Sequence, residues 1–315
     1  MLTILKKLTL VSVIAMMAMA PAHAAEKITL ILDWFLNPNH APLIVAQQIG
    51  AFEQEGIEVE LVEPADPGTP PRLVAAKKAD LAISYQPQLY MYADQGLPLV
   101  RIATLVDSPL NCLLCLKTSG IASITDLKDR KIGYSLSGTQ EATLGTMLAT
   151  GGLALDDIDM INVNFQLDSA LLTGRVDCVI DAQRTFEAIE LREHGVEPVI
   201  MNVEDYGIPA YDELIILANK DNAADPKYKK FLAALKKGTH YLLAHPSETW
   251  QAFAKAHPDL DNALNKTAWK QTLALFAKDP ARLDAARYRA YGAFLAEHNL
   301  ISRQLPVGDY AIELD

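Results

Sequence analysis

Carboxylate, amide and aromatic side chains follow several predicted strands of this chain, and few cations lie among them. Carboxylates and amides pair with the N–H groups and nitrogens of a small polar ring, and aromatic side chains cover its faces. This set of side chains therefore predicts a binding site for a planar, nitrogen-containing ring. The candidate ligand-binding residues are Asp33, Trp34, Asn37, Asn39, His40, Gly68, Tyr85, Gln86, Ser137, Gly138, Glu141, Asp181, Tyr211 and Glu213.

A site for sulfonate, sulfate or nitrate would need arginines, lysines or several helix N-termini. Near the predicted strand ends the cations are Arg72 and Arg184, and both lie just inside predicted helices. The cation content therefore disfavours an anionic ligand. One alternative stays open, because the run Ser137-Gly138-Thr139 at a predicted helix start could hold an anion or a phosphate.

Neither a catalytic centre nor a metal site is indicated by the sequence motifs. No His/Cys/Asp cluster has zinc spacing, and no G-x-S-x-G, P-loop or G-x-G-x-x-G motif occurs. Cys112 and Cys115 lie in a predicted strand, where side chains three residues apart point to opposite faces. We expect Cys112, Cys115 and Cys178 to be buried apolar side chains. The expectation is a protein without catalytic residues, metal or cofactor.

Strands and helices alternate along two stretches of the chain. The first has predicted strands at residues 28–34, 57–62, 80–85 and 99–106, with helices at 43–55, 72–78 and 87–95 between them. The second has predicted strands at 131–135, 161–165, 176–182 and 197–203, with helices at 139–150, 169–173 and 185–194. Such alternation predicts an α/β fold of two doubly wound lobes. Ligands of such sheets bind beyond the carboxyl ends of the strands and in clefts between lobes.

The last part of the chain is predicted to be helical, at residues 228–245, 247–257, 266–278 and 281–298. We expect these helices to pack on lobe one, with Trp250 and Trp269 in their core. A predicted strand at 213–219 leads the chain back to lobe one. The expected division is therefore 1–24 as a signal peptide, 25–117 with 214–315 as lobe one, and 118–213 as lobe two.

A short internal similarity relates the two stretches. Residues 75–83 and residues 172–180 each contain a helix end, a basic residue, an aspartate and a buried strand, with Asp80 aligned to Asp177. This similarity supports two lobes of the same architecture.

The first 24 residues have a basic start, a short apolar run and a small-residue site at Ala22 and Ala24, as in a secretory signal peptide. We expect cleavage after Ala24 and a soluble periplasmic protein. The chain has 28 basic and 39 acidic residues, for a net charge of −11. So acidic a protein is not expected to bind nucleic acid or anionic lipid.

Three segments carry a resemblance to a known family. They are residues 32–40 (LDWFLNPNH), residues 50–57 (GAFEQEGI) and residues 123–134 (SITDLKDRKIGY). The chain resembles the ThiY-like periplasmic proteins, which bind formylaminopyrimidine for an ABC importer. The segment 206–213 (YGIPAYDE) is also similar to this branch, whereas residues 50–57 and 126–133 are shared with sulfonate, nitrate and riboflavin-precursor relatives.

The resemblance implies a type II periplasmic binding protein with a thiamine-derived pyrimidine as ligand. A membrane permease and its ATPase are the implied partners, and we expect a monomer. A riboflavin precursor or an alkyl sulfonate is the alternative ligand. The same fold includes the fungal thiamine-pyrimidine synthase, whose cofactor lysine and reacting histidine align with Tyr85 and Leu89 here. Its iron-binding cysteines align near residues 209–213, which contain no cysteine, so the resemblance disfavours an enzyme.

Overall fold

Two mixed β-sheets form the framework of the protein. The computed structural model describes residues 25–138 and 140–314, without the side chains at positions 140 and 141. The strands are β1 (Glu26–Ile31), β2 (Ile57–Val62), β3 (Leu81–Ser84), β4 (Leu99–Val106), β5 (Asn111–Leu116), β6 (Lys131–Tyr134), β7 (Asp159–Asn162), β8 (Cys178–Gln183), β9 (Pro198–Asn202) and β10 (Leu214–Asn219). The α-helices are α1 (Ala41–Gln48), α2 (Ala51–Gln54), α3 (Pro70–Ala75), α4 (Gln86–Asp94), α5 (Gln140–Thr150), α6 (Leu167–Leu172), α7 (Glu187–Glu193), α8 (Pro226–Ala244), α9 (Pro246–Ala256), α10 (Ala263–Thr272) and α11 (Ala285–Glu297).

The two sheets have the same strand order. The first runs β2-β1-β3-β10-β4 and the second runs β7-β6-β8-β5-β9, with β10 and β5 antiparallel to their neighbours. Every residue of β3, β4 and β10 is buried, as expected for strands that helices cover on both faces. The expected fold class, two doubly wound α/β lobes, is confirmed.

The chain crosses between the sheets twice, after β4 and again before β10. β5 pairs with β8 and β9 and therefore belongs to the second sheet. The predicted division of the chain placed residues up to 117 in lobe one. The division of the chain into these lobes stays a prediction. Because β5 pairs within the second sheet, the structure favours a boundary between the lobes in the segment 107–110.

Asp80 and Asp177 occupy equivalent positions in the two lobes. The Asp80 carboxylate accepts the backbone N–H of Thr29 at 2.9 Å, and the Asp177 carboxylate accepts that of Lys131 at 2.8 Å. The backbone N–H of each aspartate donates in turn to the carbonyl of the same partner. Asp80 thus fastens the start of β3 to β1, and Asp177 fastens the start of β8 to β6, so the short sequence similarity reflects a repeated structural device.

The long helix α8 packs directly on α1, as expected for C-terminal helices on lobe one. Gly238 allows this approach, because a Cβ atom there would lie 2.6 Å from the Cβ of Ala46 and 2.7 Å from the carbonyl oxygen of Pro42. Trp269 of α10 is buried in the same apolar cluster, and Trp250 of α9 is partly buried against it. The expectation that both tryptophans belong to the core is confirmed.

Several elements differ from the sequence-based expectations in their bounds, and in two of them a residue with a left-handed conformation is the reason. The helix predicted at 43–55 is divided into α1 and α2, because Gly50 adopts a left-handed φ of 67°. The strand predicted at 161–165 is β7, which ends at Asn162. Asn164 then adopts a φ of 53°, a conformation that asparagine tolerates and that a strand does not contain.

Cys115 and Cys178 form a disulfide between the neighbouring strands β5 and β8. Cys112 is free, and all three cysteines are fully buried. The sulfur atoms of Cys112 and Cys115 diverge as expected. The prediction that the cysteines serve only as buried apolar side chains is wrong for Cys115 and Cys178, since register across the sheet, rather than spacing along the chain, brings them together.

Among the residues that the structure describes, no helix combines the length and hydropathy needed to cross a membrane. The predicted signal peptide, residues 1–24, lies outside the described residues.

Candidate functional site

The carboxyl ends of β1 and β3 face those of β6 and β8 across a cleft. The antiparallel strands β10 and β5 begin at this same edge, since Ile215 lies opposite Ser84 and Asn111 lies opposite Gln183. Residues that follow parallel strands and residues that precede antiparallel strands therefore meet in one place. Two adjoining cavities lie there.

The first cavity takes its walls from both lobes and encloses about 300 Å³ of empty space, part of it open to solvent. Lobe one contributes an aromatic pair and two polar side chains, and lobe two contributes carboxylates, an amide and apolar side chains. The lining residues are Asp33, Trp34, Asn37, Tyr85, Leu167, Asp181, Gln183, Phe186 and Glu187.

Asp33 is held in this wall by two side chains of its own lobe. The Tyr85 hydroxyl donates to Asp33 Oδ2 at 2.7 Å, and His40 Nε2 lies 2.9 Å from Asp33 Oδ1. His40 Nδ1 accepts the backbone N–H of Asn37 at 3.2 Å, so the ring proton of the neutral imidazole is on Nε2 and points to Asp33. His40 thus acts as a buried donor that orients the carboxylate.

Asp181 separates the first cavity from the second. It lies on a bulge of β8, where three residues of β8 advance against two of β5, and its φ is 69°. Its carboxylate accepts the backbone N–H groups of Ser135 at 3.0 Å and Leu136 at 2.9 Å. A left-handed aspartate costs conformational free energy and marks a site where the surrounding structure fixes an unusual side-chain direction. Here that direction is into the cleft.

The second cavity shares Tyr85 and Asp181 with the first and encloses about 320 Å³ of empty space, again partly open. Its remaining walls come from the two crossing segments and from α4 and α5. The lining residues are Tyr85, Pro87, Asn111, Leu136, Thr143, Asp181, Tyr211 and Glu213.

Glu213 is a buried carboxylate at the start of β10. Burial raises its pKa to about 7, although two backbone N–H donors, the Tyr211 hydroxyl and the charge of Arg184 all lower it. Burial and the nearby charge of Glu213 in turn raise the pKa of Tyr211 well above its usual value. Tyr211 therefore remains a neutral hydroxyl donor at all physiological pH values.

Carboxyl groups also occur in the lobe-two wall, which contains Glu187, and near it, where Asp168 lies. Burial raises the pKa of Glu187 to about 7, and it raises the pKa of Asp168 to about 10 with further contributions from Glu187 and Glu190. Among the described residues, neither cavity is lined by a lysine, an arginine or a histidine. The described walls of both cavities thus present acceptors and carboxyl groups to a ligand and offer no cationic partner for an anion.

A larger groove on lobe one, lined by Thr104, Asp212 and a charged rim, lies away from these strand-end side chains. Two of its carboxylates have cationic partners: Arg287 contacts Asp212 at 2.6 Å, and Lys236, from outside the groove, contacts Asp279 at 2.7 Å. The two cavities between the lobes, whose walls carry the strand-end side chains, are therefore the candidate site.

The structure brings half of the sequence-predicted site residues into the cavity walls, namely Asp33, Trp34, Asn37, Tyr85, Asp181, Tyr211 and Glu213. Asn39, His40 and Gln86 are buried behind these walls. Asn39 hydrogen-bonds Gln183 and Thr272, and Gln86 Oε1 accepts the backbone N–H of Asp212 at 2.7 Å.

Three further predicted residues lie outside both linings. Gly68 donates its backbone N–H to Asp66 at 2.9 Å, Ser137 is exposed, and Gly138 is half-buried with a left-handed φ of 95°. The side chain of Glu141 lies outside the described part of the structure. That any of these residues binds a ligand stays a prediction.

Several lining residues were missed by sequence reasoning, among them Gln183, Phe186 and Glu187 of lobe two and Asn111 and Thr143 around the second cavity. Gln183 directly follows the predicted strand 176–182, so the strand-end rule could have found it. Phe186 and Glu187 have no such signal, because they begin a helix that only tertiary packing directs at the cleft.

The sequence matches the family model described as NMT1/THI5 like over residues 37–249. It is 48% identical over 304 residues to a Haemophilus influenzae protein named "Putative thiamine biosynthesis protein", covering 96% of this chain and 97% of the relative. It is 32% identical over 227 residues to the formylaminopyrimidine-binding protein of Halalkalibacterium halodurans, covering 71% and 69% of the two chains. A 4-amino-5-hydroxymethyl-2-methylpyrimidine phosphate synthase of Legionella pneumophila is 25% identical over 294 residues, covering 90% and 92%.

Among solved structures, the fold is similar to that of the alkanesulfonate-binding protein SsuA of Xanthomonas axonopodis pv. citri bound to MOPS. The TM-score is 0.72 at 17% identity, and the match covers 92% of this chain and all of the other. At that identity the likeness concerns the fold alone, which is that of a two-lobed periplasmic binding protein. Because the family model spans well over half of the sequence, the chain belongs to the NMT1/THI5-like family.

Proposed function

We propose that this protein is the periplasmic substrate-binding component of an ABC importer and that its ligand is a thiamine-derived pyrimidine such as formylaminopyrimidine. The ligand would lie in the two adjoining cavities between the lobes. The observation that carries the proposal is the composition of their walls, in which aromatic rings and carboxyl groups line the cleft and none of the described lining residues is a cation.

An aminopyrimidine needs partners of this kind. Its N–H groups must pair with acceptors once they are buried, because an unpaired donor costs roughly 1–3 kcal/mol. Asp33, Asp181, Glu187 and Glu213 offer carboxyl oxygens, and Trp34 and Tyr85 offer aromatic side chains beside them. The similarity to a formylaminopyrimidine-binding protein supports the same ligand class.

The same fold could bind an alkyl sulfonate or a riboflavin precursor instead. A sulfonate carries a full negative charge, which the carboxylates of both cavities would repel and which no lining cation in the described residues would balance. A riboflavin precursor is the stronger alternative, since it is a neutral, planar molecule that also has N–H donors.

An enzymatic pyrimidine synthase is the third hypothesis, since such synthases are among the relatives. At Tyr85, the position that the family resemblance aligns with a cofactor lysine, the hydroxyl is engaged by Asp33. A tyrosine in this role cannot form the imine that a cofactor lysine forms. The arrangement supports binding without chemistry.

Export to the periplasm is part of the proposal. Disulfides persist in oxidising compartments and are rare in the cytosol, so the Cys115–Cys178 bond supports an exported protein. N-terminal sequencing of the native protein should start at Ala25. Co-purification of the protein with a membrane permease and an ATPase would identify the importer, and a monomeric mass is expected in solution.

Calorimetric titration tests the ligand class. We expect saturable binding of formylaminopyrimidine and no binding heat with MOPS as a representative alkyl sulfonate. Native mass spectrometry of freshly purified protein should detect a bound pyrimidine. Tight MOPS binding without a pyrimidine signal would overturn the proposal, and a bound riboflavin precursor would replace the pyrimidine by the second ligand.

A further inference from the structure

Asn164 and Phe165 of lobe two reach across the cleft to lobe one, although neither lines a cavity. They occupy the loop between β7 and α6. Phe165 contacts Trp34 and Phe35, and Asn164 contacts Asp66. One short loop therefore makes both an aromatic and a polar contact between the lobes.

The aromatic contact fixes the orientation of Trp34. The ring centroids of Trp34 and Phe165 are 4.6 Å apart at an interplanar angle of 78°, an edge-to-face arrangement. The ring of Phe35 packs on another side of Phe165, with the ring centroids 4.6 Å apart. Phe35 is 47% exposed, which places the three aromatic rings at the mouth of the cleft. Edge-to-face pairs have a preferred geometry, so Phe165 restricts the rotation of the indole that lines the first cavity.

The polar contact is set by the backbone conformation of Asn164. Its φ of 53° directs the side chain across the cleft, where Nδ2 donates to Asp66 Oδ2 at 3.1 Å. Its own Oδ1 accepts the backbone N–H of Phe165 at 2.8 Å, and Asp66 Oδ1 accepts that of Gly68 at 2.9 Å. The Asn164 and Asp66 side chains thus each hydrogen-bond the backbone of their own loop and also join the two loops to each other.

We propose that Asn164 and Phe165 form a clasp that holds the lobes closed and positions Trp34 against the ligand. This inference rests on the proposed function in so far as it assigns the ligand to the first cavity. Trp34 is half-buried and packs against the apolar cluster of lobe two, so its environment depends on closure. Contacts that exist only in the closed state add to the affinity of any ligand that binds that state.

A double-mutant cycle tests the positioning role. Phe165→Ala should weaken formylaminopyrimidine binding about tenfold in the wild-type background and less than threefold in a Trp34→Ala background. Phe165→Leu, which keeps an apolar side chain, should give an intermediate loss. Leu172→Ala is the matched control, because Leu172 is an exposed apolar residue at the end of the helix that follows the same loop.

If Phe165→Ala lowered the affinity for formylaminopyrimidine by the same factor in both backgrounds, the positioning role would be overturned. Thermal midpoints of the ligand-free variants should match that of the wild-type protein. A fall in the midpoint of Phe165→Ala together with unchanged affinity of Phe165→Leu would make Phe165 a packing residue and also overturn the proposal.

A charge rescue tests the polar half of the clasp without depending on the ligand. Asn164→Asp keeps the left-handed conformation and the acceptor for the Phe165 N–H but places a carboxylate against Asp66. Adding Asp66→Asn restores one donor and one acceptor. Spin labels at the exposed positions of Lys229→Cys and Glu193→Cys report the distance between the lobes in ligand-free protein.

We expect Asn164→Asp to lower the population of the short inter-lobe distance and the double variant to restore it. Identical distance distributions in all three proteins would overturn the clasp, whether or not a pyrimidine binds. If the wild-type protein fails to bind pyrimidine while the distances respond as expected, the ligand assignment is wrong and the clasp stands.

Discussion

Glu213 Oε2 accepts the backbone N–H of Leu110 at 2.5 Å, and it also accepts that of Asn111 at 3.1 Å. Glu213 directly precedes β10 and Leu110 directly precedes β5, so a single carboxylate joins the two strands that enter the sheets after crossing between lobes. The same side chain lines the second cavity. The proposed ligand site and the connection between the lobes therefore share a residue, and its protonation is expected to affect both.

The stability of the protein should depend on pH through Glu213. Because burial raises its pKa to about 7 in the folded state from a usual 4.5, ionisation is less favourable in the folded protein than in the unfolded chain. The resulting destabilisation is absent below pH 4.5, develops as the pH rises to about 7, and is complete above it, at up to roughly 3 kcal/mol.

Glu213→Gln removes this titration, so the free energy of unfolding of the variant relative to wild type should increase between pH 5 and pH 8. Urea denaturation at several pH values measures the difference. Glu187 and Asp168 titrate in both proteins, so their contributions cancel in the difference between the two free energies of unfolding. A difference that stays constant with pH would show that Glu213 titrates normally.

Trp34→Ala should weaken pyrimidine binding at least tenfold, about 1.4 kcal/mol, because the ligand loses an aromatic wall. The thermal midpoint of the ligand-free protein should barely move, since Trp34 is half-buried in a loop. Trp269→Ala is the contrasting variant: Trp269 is 2% exposed, and its loss should cost roughly 3–5 kcal/mol of stability. Calorimetric titration and thermal melts of both variants separate the two roles, and full affinity of Trp34→Ala would remove Trp34 from the site.

Tyr85→Phe should destabilise the ligand-free protein by roughly 1–3 kcal/mol, because it leaves the buried Asp33 Oδ2 without its donor. Tyr241→Phe is the control, since the Tyr241 hydroxyl also donates to a carboxylate, Glu248 at 2.8 Å, but in an exposed position. Chemical denaturation of both variants measures the costs. Equal, small effects would mean that the Asp33 carboxylate is solvated rather than held by Tyr85.

Cys115 and Cys178 should be found linked, with Cys112 free, by peptide mapping under non-reducing conditions. Replacing both linked cysteines by alanine should lower stability by roughly 2–5 kcal/mol, because the bond closes a long loop between strands 63 residues apart in sequence. Cys112→Ala should change stability much less. Two free thiols at positions 115 and 178 in the native protein would contradict the pairing.

The alternation of apolar runs and turn residues predicted both α/β lobes and most strand bounds, because buried parallel strands have a distinctive local pattern. The same pattern located Asp33, Tyr85 and Asp181, which come at or next to strand ends. The similarity around Asp80 and Asp177 was also visible in the sequence, since it rests on residues that are close together along the chain.

Contacts between distant segments could not be predicted from local pattern. The disulfide between Cys115 and Cys178 depends on which strands are neighbours in the sheet, and the bulge that turns Asp181 depends on their register. Asn164 and Phe165 meet Asp66 and Trp34 only because the two lobes lie against each other.

The sequence by itself thus determined the fold class, the small number of cations near the strand ends and several of the residues that line the cleft. The tertiary structure decided which of those side chains face a ligand and which, like His40 and Gln86, brace the walls from behind. The physical reason is that backbone propensity and hydrophobic periodicity act over a few residues, whereas the direction of a side chain at a strand end is set by packing against segments far away in the chain.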